Sequence, residues 1–130
     1  MKVSLVTPLN RVLGLGTASG AGEHWWMQRL TAVALLPLGL WLALSLARLP
    51  GFDYVTVVQW VQRPVTSILL ILTVLAVGYH SYLGLQVIIE DYVHAKALKV
   101  LAVMGSALAH AALSIAALFA ILKIAFGPVG

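Results

Sequence analysis

Three stretches of the chain carry no Asp, Glu, Lys or Arg: Leu30–Ala47, Pro64–Ile89 and Val100–Leu122. They are 18, 26 and 23 residues long. The hydrocarbon core of a bilayer takes about 20 helical residues to cross. The first stretch is short alone, but Trp25, Trp26 and Met27 extend it toward an interface. The pattern therefore predicts an all-α membrane protein with three transmembrane helices, over about residues 26–48, 64–90 and 99–124. Pro37 falls inside the first and is expected to kink or loosen it, which membrane helices tolerate. Polar connections are short. Arg48-Leu49-Pro50-Gly51-Phe52-Asp53 carries a Pro-Gly turn signal, and Glu90–Lys99 joins spans two and three. Tyr54–Gln62 reads as a short amphipathic piece lying on the surface before Pro64. Residues 1–130 form one membrane-anchor domain, with 1–24 as a tail outside the bilayer.

Composition supports lipid as the main solvent. The chain is 62% apolar and 9% charged, against roughly 25% charged in soluble domains, and its mean hydropathy is +1.01. A soluble fold of 130 residues has no interior large enough for so much apolar surface. With no cysteine, this chain supplies no disulfide, zinc-thiolate or iron–sulfur ligand. The net charge of +4 bears on topology and anionic lipid, and no aromatic-basic interleaving points to nucleic acid. Lys2, Arg11, Arg29, Lys96 and Lys99 fall on one side of a three-span chain; Arg48, Arg63 and Lys123 fall on the other. The positive-inside rule then predicts a cytoplasmic N-terminus and a C-terminus on the opposite side. The N-terminal MKVSLVTPLNRVLGLG reads as a retained tail, because Pro8, Asn10 and Arg11 break its apolar run.

The ionisable residues inside the spans carry the chemistry. His80 lies ten residues before Glu90, about 15 Å from the end of its helix and near the bilayer midplane. An ionisable ring there is costly and marks a functional candidate. Gly84, Val87 and Asp91 follow it at offsets of 4, 7 and 11, on one helical face. Such a face, with an imidazole and a small neighbour, suits a haem edge; close helix packing at Gly84 around a hydrogen-bonded structural histidine is the other reading. His110 sits about ten residues into span three, at similar depth. A bis-histidine haem within one chain is geometrically allowed, and so is a structural bond from His110 to a carbonyl or to Ser106 or Ser114 one turn away. Asp91 and Tyr92 fall at the cytoplasmic interface, where a phenol suits a quinone carbonyl; an interfacial tyrosine beside a carboxylate paired to Lys96 or Arg29 is the plainer alternative. Arg29, at the head of span one, has three candidate partners: a haem propionate, Asp91 or lipid phosphate.

Taken together, His80-Ser81-Tyr82-Leu83-Gly84, Gln86-Val87 and Asp91-Tyr92, with Gln28-Arg29-Leu30-Thr31-Ala32 at the head of span one, resemble the D-type hydrophobic membrane anchor subunits of succinate dehydrogenase (complex II). The resemblance runs through nearly the whole chain. It implies a heterodimeric six-helix anchor formed with a cytochrome b-type subunit, which holds a flavoprotein and an iron–sulfur subunit on the cytoplasmic face of a bacterial inner membrane. It implies haem b shared between the anchors, with His80 as one axial ligand to the iron, Gly84 facing the haem and Arg29 near its propionates. It also implies ubiquinone bound at the interface, with Tyr92 donating a hydrogen bond and Asp91 orienting Tyr92 or relaying protons. The chain is then not a catalyst alone but a subunit in electron transfer from succinate oxidation, in the tricarboxylic acid cycle and respiratory chain. Two other readings remain: an anchor of a fumarate reductase-type or haem-free quinone-linked complex, and a small proton-coupled transporter using His80 and His110. The second lacks a membrane-embedded carboxylate and an inverted repeat.

Overall fold

A computed structural model of the chain describes residues 18–128. The sequence-predicted tail of residues 1–24 lies outside the described residues up to position 17. Four helices follow in order: α1 (Ala18–Ala47), α2 (Tyr54–Val61), α3 (Pro64–Tyr92) and α4 (Lys96–Ala125). Three of them are long and apolar enough to cross a membrane: Gly22–Ala47, Pro64–Tyr92 and Lys96–Ala125. Helix α1 begins about three turns before the first charge-free stretch. Charge limits how far a helix enters hydrocarbon, but it does not end the helix in water. The helix also runs through Pro37 without a break.

Local chemistry sets each end. After α1, the amides of Arg48 and Leu49 bond back to Leu44 and Leu46 at 3.2 Å, and Pro50 stops the helix. Asp53 caps α2: its Oδ2 accepts from the Thr56 amide at 3.1 Å and its Oδ1 from the Thr56 hydroxyl at 2.7 Å. These bonds, the hydroxyl first, hold the Asp53 carboxyl below the ordinary carboxylate range. Pro64 opens α3 at a position where its missing N–H costs nothing. At the far end of α3, the Lys99 ammonium donates to the Glu90 carbonyl at 2.7 Å, placing a cation at the helix C-terminus.

The short helix α2 fastens the outer ends of the long ones. Its residues Val58, Trp60 and Val61 are buried. The Trp60 indole N–H donates to Ser45 Oγ at 2.8 Å, and its ring stacks on Trp41 at 6.3 Å. Gln62 donates to the carbonyls of Ile124 and Gly127 at 3.2 and 3.0 Å, supplying partners for the last turn of α4.

Helix α3 lies between α1 and α4 and packs on both, whereas α1 and α4 do not pack on each other among the described residues. The spans therefore form an open layer, not a closed three-helix bundle. Buried residues are correspondingly few: Val58, Trp60, Val61, Thr66 and Leu83. On the α4 flank the approach is close, since a Cβ on Gly78 would stand 2.5 Å from Ser114 Oγ.

Candidate functional site: the histidine-bearing faces of α3

The middle helix carries two adjacent polar positions at mid-depth, and each faces a different neighbour. His80 looks toward α1. Its Nδ1 lies 2.9 Å from Thr31 Oγ1. That hydroxyl also reaches two carbonyls of its own helix, Met27 at 2.9 Å and Gln28 at 3.0 Å. Ser81, about 100° further round, looks toward α4. Its Oγ lies 3.1 Å from His110 Nε2, and His110 Nδ1 donates to the Ser106 carbonyl at 2.8 Å. The Ser81–His110 contact puts the two histidines at one depth but on opposite flanks of α3.

The consequence for the two rings is opposite. Both nitrogens of His110 have partners within the chain, and Tyr82 packs edge-on against the ring at 6.0 Å. This is the structural bond expected as the alternative for His110, made to Ser106 and Ser81; Ser114 packs against Gly78 instead. His80 has Nδ1 engaged, and no hydrogen bond from the described residues reaches its Nε2. An apolar groove of about 700 Å³ lies on the α1–α3 seam, between Thr31, Ala34 and Pro37 on one side and Leu75, Ala76 and Tyr79 on the other; it reaches Thr31 and Tyr79, the bonded partner and chain neighbour of His80, though His80 itself does not line it. One imidazole with a spare nitrogen beside an apolar groove fits half of a haem site. Among the described residues there is no group of three or more His, Cys, Asp or Glu able to hold a metal ion. A haem iron asks for less: one axial nitrogen from this chain and a second from elsewhere.

Gly84 lies one turn from His80 and faces α1. A Cβ there would meet the Gln28 amide nitrogen at 3.5 Å, an ordinary contact. Gln28 and His24 share the α1 face that carries Thr31, at offsets of 3 and 7. Gln28 Oε1 and His24 Nε2 are both buried without a hydrogen-bond partner among the described residues. In the sequence, Thr31, Ser81 and Gln28 stand only as members of the motifs that carry the resemblance, with no role of their own, and His24 is not singled out. The available signal was the 4-and-3 spacing of His24, Gln28 and Thr31, which marks one polar face on an otherwise apolar helix.

Asp91 and Tyr92 end α3. The helix is unbroken from His80, so Asp91 stands about 17 Å along the same face by helical rise. Both residues are exposed, Tyr92 by 78%. No described side chain hydrogen-bonds the Tyr92 hydroxyl or the Asp91 carboxylate; the Tyr92 carbonyl accepts from His94 Nδ1 at 3.1 Å. Among the described residues, Arg29 pairs with no carboxylate, Asp91 included. It is exposed, and its guanidinium lies 4.0 Å over the Trp25 ring, a cation–π contact one helical turn back. Arg29 is offset by two positions from Thr31, about 200° round the helix, so it points to roughly the other side of α1 from His80. Its propionate role rests on the resemblance alone.

An open layer of three long apolar helices, with one imidazole nitrogen of the middle helix unpartnered among the described residues, is the architecture of a membrane anchor. Residues 4–122 match the family described as succinate dehydrogenase/fumarate reductase transmembrane subunit. The chain belongs to that family. It is similar to the succinate dehydrogenase hydrophobic membrane anchor subunit of Rickettsia bellii (34% identical over 84 residues, 65% of this chain and 67% of the relative). It is similar to the succinate dehydrogenase membrane anchor subunit of Reclinomonas americana (34% over 90 residues, 67% and 74%). The likeness to the hydrophobic membrane anchor subunit of Paracoccus denitrificans is lower, 27%, but covers 95% of each chain. The matched segment spans about two thirds of the several Rickettsia relatives. No solved structure matches.

Proposed function

We propose that this chain is the membrane anchor subunit of a succinate:ubiquinone oxidoreductase. In this reading it contributes one axial ligand, His80, to a shared b-type haem and one hydrogen-bond donor, Tyr92, to ubiquinone. The observation that carries the haem assignment is the contrast between the histidines at one depth: His110 has both nitrogens satisfied within the chain, and His80 keeps Nε2 unpartnered. An imidazole left that way inside a bilayer is costly unless something binds it. Succinate oxidation, not fumarate reduction, is favoured because the relatives are anchor subunits of succinate dehydrogenase.

The open layer supports the partner assignment. Three helices in a row bury almost nothing between them, and helices in lipid associate through close packing and polar contacts. A second three-helix anchor of cytochrome b type laid against this layer gives a six-helix unit and brings the second axial ligand. The flavoprotein and iron–sulfur subunits dock on the face bearing Lys96, Lys99 and the α3 C-terminus. That face is cytoplasmic in an inner membrane by the charge distribution, which puts the C-terminus in the periplasm.

Within this arrangement, Tyr92 orients the quinone by donating to one carbonyl. That bond strengthens as negative charge grows on the oxygen in a site shielded from bulk water. Asp91, its exposed neighbour, supplies a carboxylate for proton delivery from the aqueous side. Gly84, one turn from His80, leaves room for the Gln28 side chain of α1 on that face. His80 would hold the haem, which would supply one-electron redox chemistry there.

The test is the reduced-minus-oxidised absorption spectrum of the purified complex. His80→Ala is expected to abolish the b-type band, and His110→Ala to leave it. A band that survives His80→Ala overturns the ligand assignment; loss in both variants overturns the contrast on which it rests, since the two histidines lie on opposite flanks of α3.

A further inference from the structure

We infer that Thr31 is a positioning residue that fixes the tautomer of His80 and thereby prepares Nε2 to bind iron; the inference rests on the haem reading above. The number of protons available sets the tautomer. Thr31 Oγ1 has one proton and three neighbours within reach: the Met27 carbonyl at 2.9 Å, the Gln28 carbonyl at 3.0 Å and His80 Nδ1 at 2.9 Å. Both carbonyls only accept. If the hydroxyl donates to a carbonyl, its lone pair receives Nδ1–H, and two hydrogen bonds form. If it donates to Nδ1 instead, one forms, and the ring proton moves to Nε2, where no described residue accepts it. The first arrangement makes one bond more and leaves the polar Nε2–H out of an apolar setting, where it is costly. It leaves a lone pair on Nε2, which is what an axial ligand needs.

The same bond also holds the ring in place. A histidine ligand commonly donates its second N–H to a fixed acceptor, which sets its orientation and raises its basicity. Here the acceptor comes from another helix and is itself clamped to the carbonyls of its own turn. Thr31 therefore ties the ligand on α3 to α1. His110 donates through the same nitrogen, but its Nδ1–H goes to a carbonyl of its own helix, and Ser81 occupies Nε2. A more basic ligand stabilises the ferric form, so the Thr31 bond lowers the potential of the haem.

The test uses the whole purified complex carrying Thr31→Val or Thr31→Ser. The isosteric Val keeps the volume and removes the acceptor; Ser restores the hydroxyl. The expected result is an upward shift of the haem midpoint potential and roughly tenfold weaker haem retention in Thr31→Val, with Thr31→Ser close to the parent in both. A purely structural role for Thr31 leaves the potential of the retained haem unchanged. Unaltered potential and retention in a Thr31→Val complex whose b-type band still depends on His80 overturns the tautomer role alone. A band independent of His80 overturns the haem reading itself, so the two failures are told apart by the His80→Ala spectrum.

Discussion

At mid-depth, a histidine is judged by which of its nitrogens already has a partner. His80 and His110 have the same residue type, the same depth and apolar neighbours, and periodicity does not separate them. What separates them is the side chain facing each ring: a hydroxyl from another helix at Nδ1 for His80, and a serine at Nε2 for His110. Those contacts depend on the register between helices, which one sequence does not specify. By contrast, the alignment of His80, Gly84 and Asp91 was legible, because it needs only the pitch of one helix. The role of Tyr92 is argued at this same scale. The phenol is exposed at the end of α3, with no described side chain bonded to its hydroxyl. Removing the hydroxyl should cost one hydrogen bond to the quinone, about 1 kcal/mol or roughly fivefold. Tyr92→Phe is therefore expected to lower ubiquinone reduction about fivefold while succinate oxidation by an artificial dye continues at the parental rate. Equal loss of both activities would remove Tyr92 from the quinone site.

The long elements were legible because a bilayer imposes them: charge-free stretches of the right length become helices. The onset of α1 was less legible, since residues ahead of the span are polar enough to read as tail yet remain helical. Helix α2 was legible as a short amphipathic piece, but its function as a clasp was not. Trp60 to Ser45 and Gln62 to the end of α4 join segments distant in sequence. The Asp53 cap sets where the clasp begins, and its titration gives a test. Thr56 holds the carboxyl below its usual value. A group whose pKa is lowered on folding contributes stability above the unfolded value, near 3.9. That contribution is lost as the pH falls through the lower folded value. Protection of the α2 amides in hydrogen exchange, corrected for intrinsic rates, is thus expected to be steady from pH 7 to about 5 and to fall below pH about 4. Asp53→Asn keeps an acceptor and should lose the acid-dependent step; Asp53→Ala should exchange faster throughout. A pH profile unaltered in Asp53→Asn would show that another group controls it.

On the scale of the whole molecule, the arrangement of spans follows from what packs on α3. Small residues let α4 come close at Gly78, and a polar side chain fills the gap at Gly84, so both neighbours settle against the middle helix and leave each other apart. In water such a layer would fold over to hide its faces. In lipid there is no such force, and the faces stay available to a partner subunit. The absence of native cysteine makes this openness measurable. A Cβ at Gly78 stands 3.8 Å from the Cβ of Ser114, within the usual range for a disulfide. Gly78→Cys with Ser114→Cys is expected to oxidise readily in the membrane. Ala32→Cys with Ala111→Cys, at matched depth on α1 and α4, is expected not to, because α3 stands between them. Efficient closure of the second pair would mean a closed three-helix bundle, with no open layer on which a second anchor could complete the haem site. Failure of the first pair alone would place α4 away from Gly78 and remove the contact that brings His110 to Ser81.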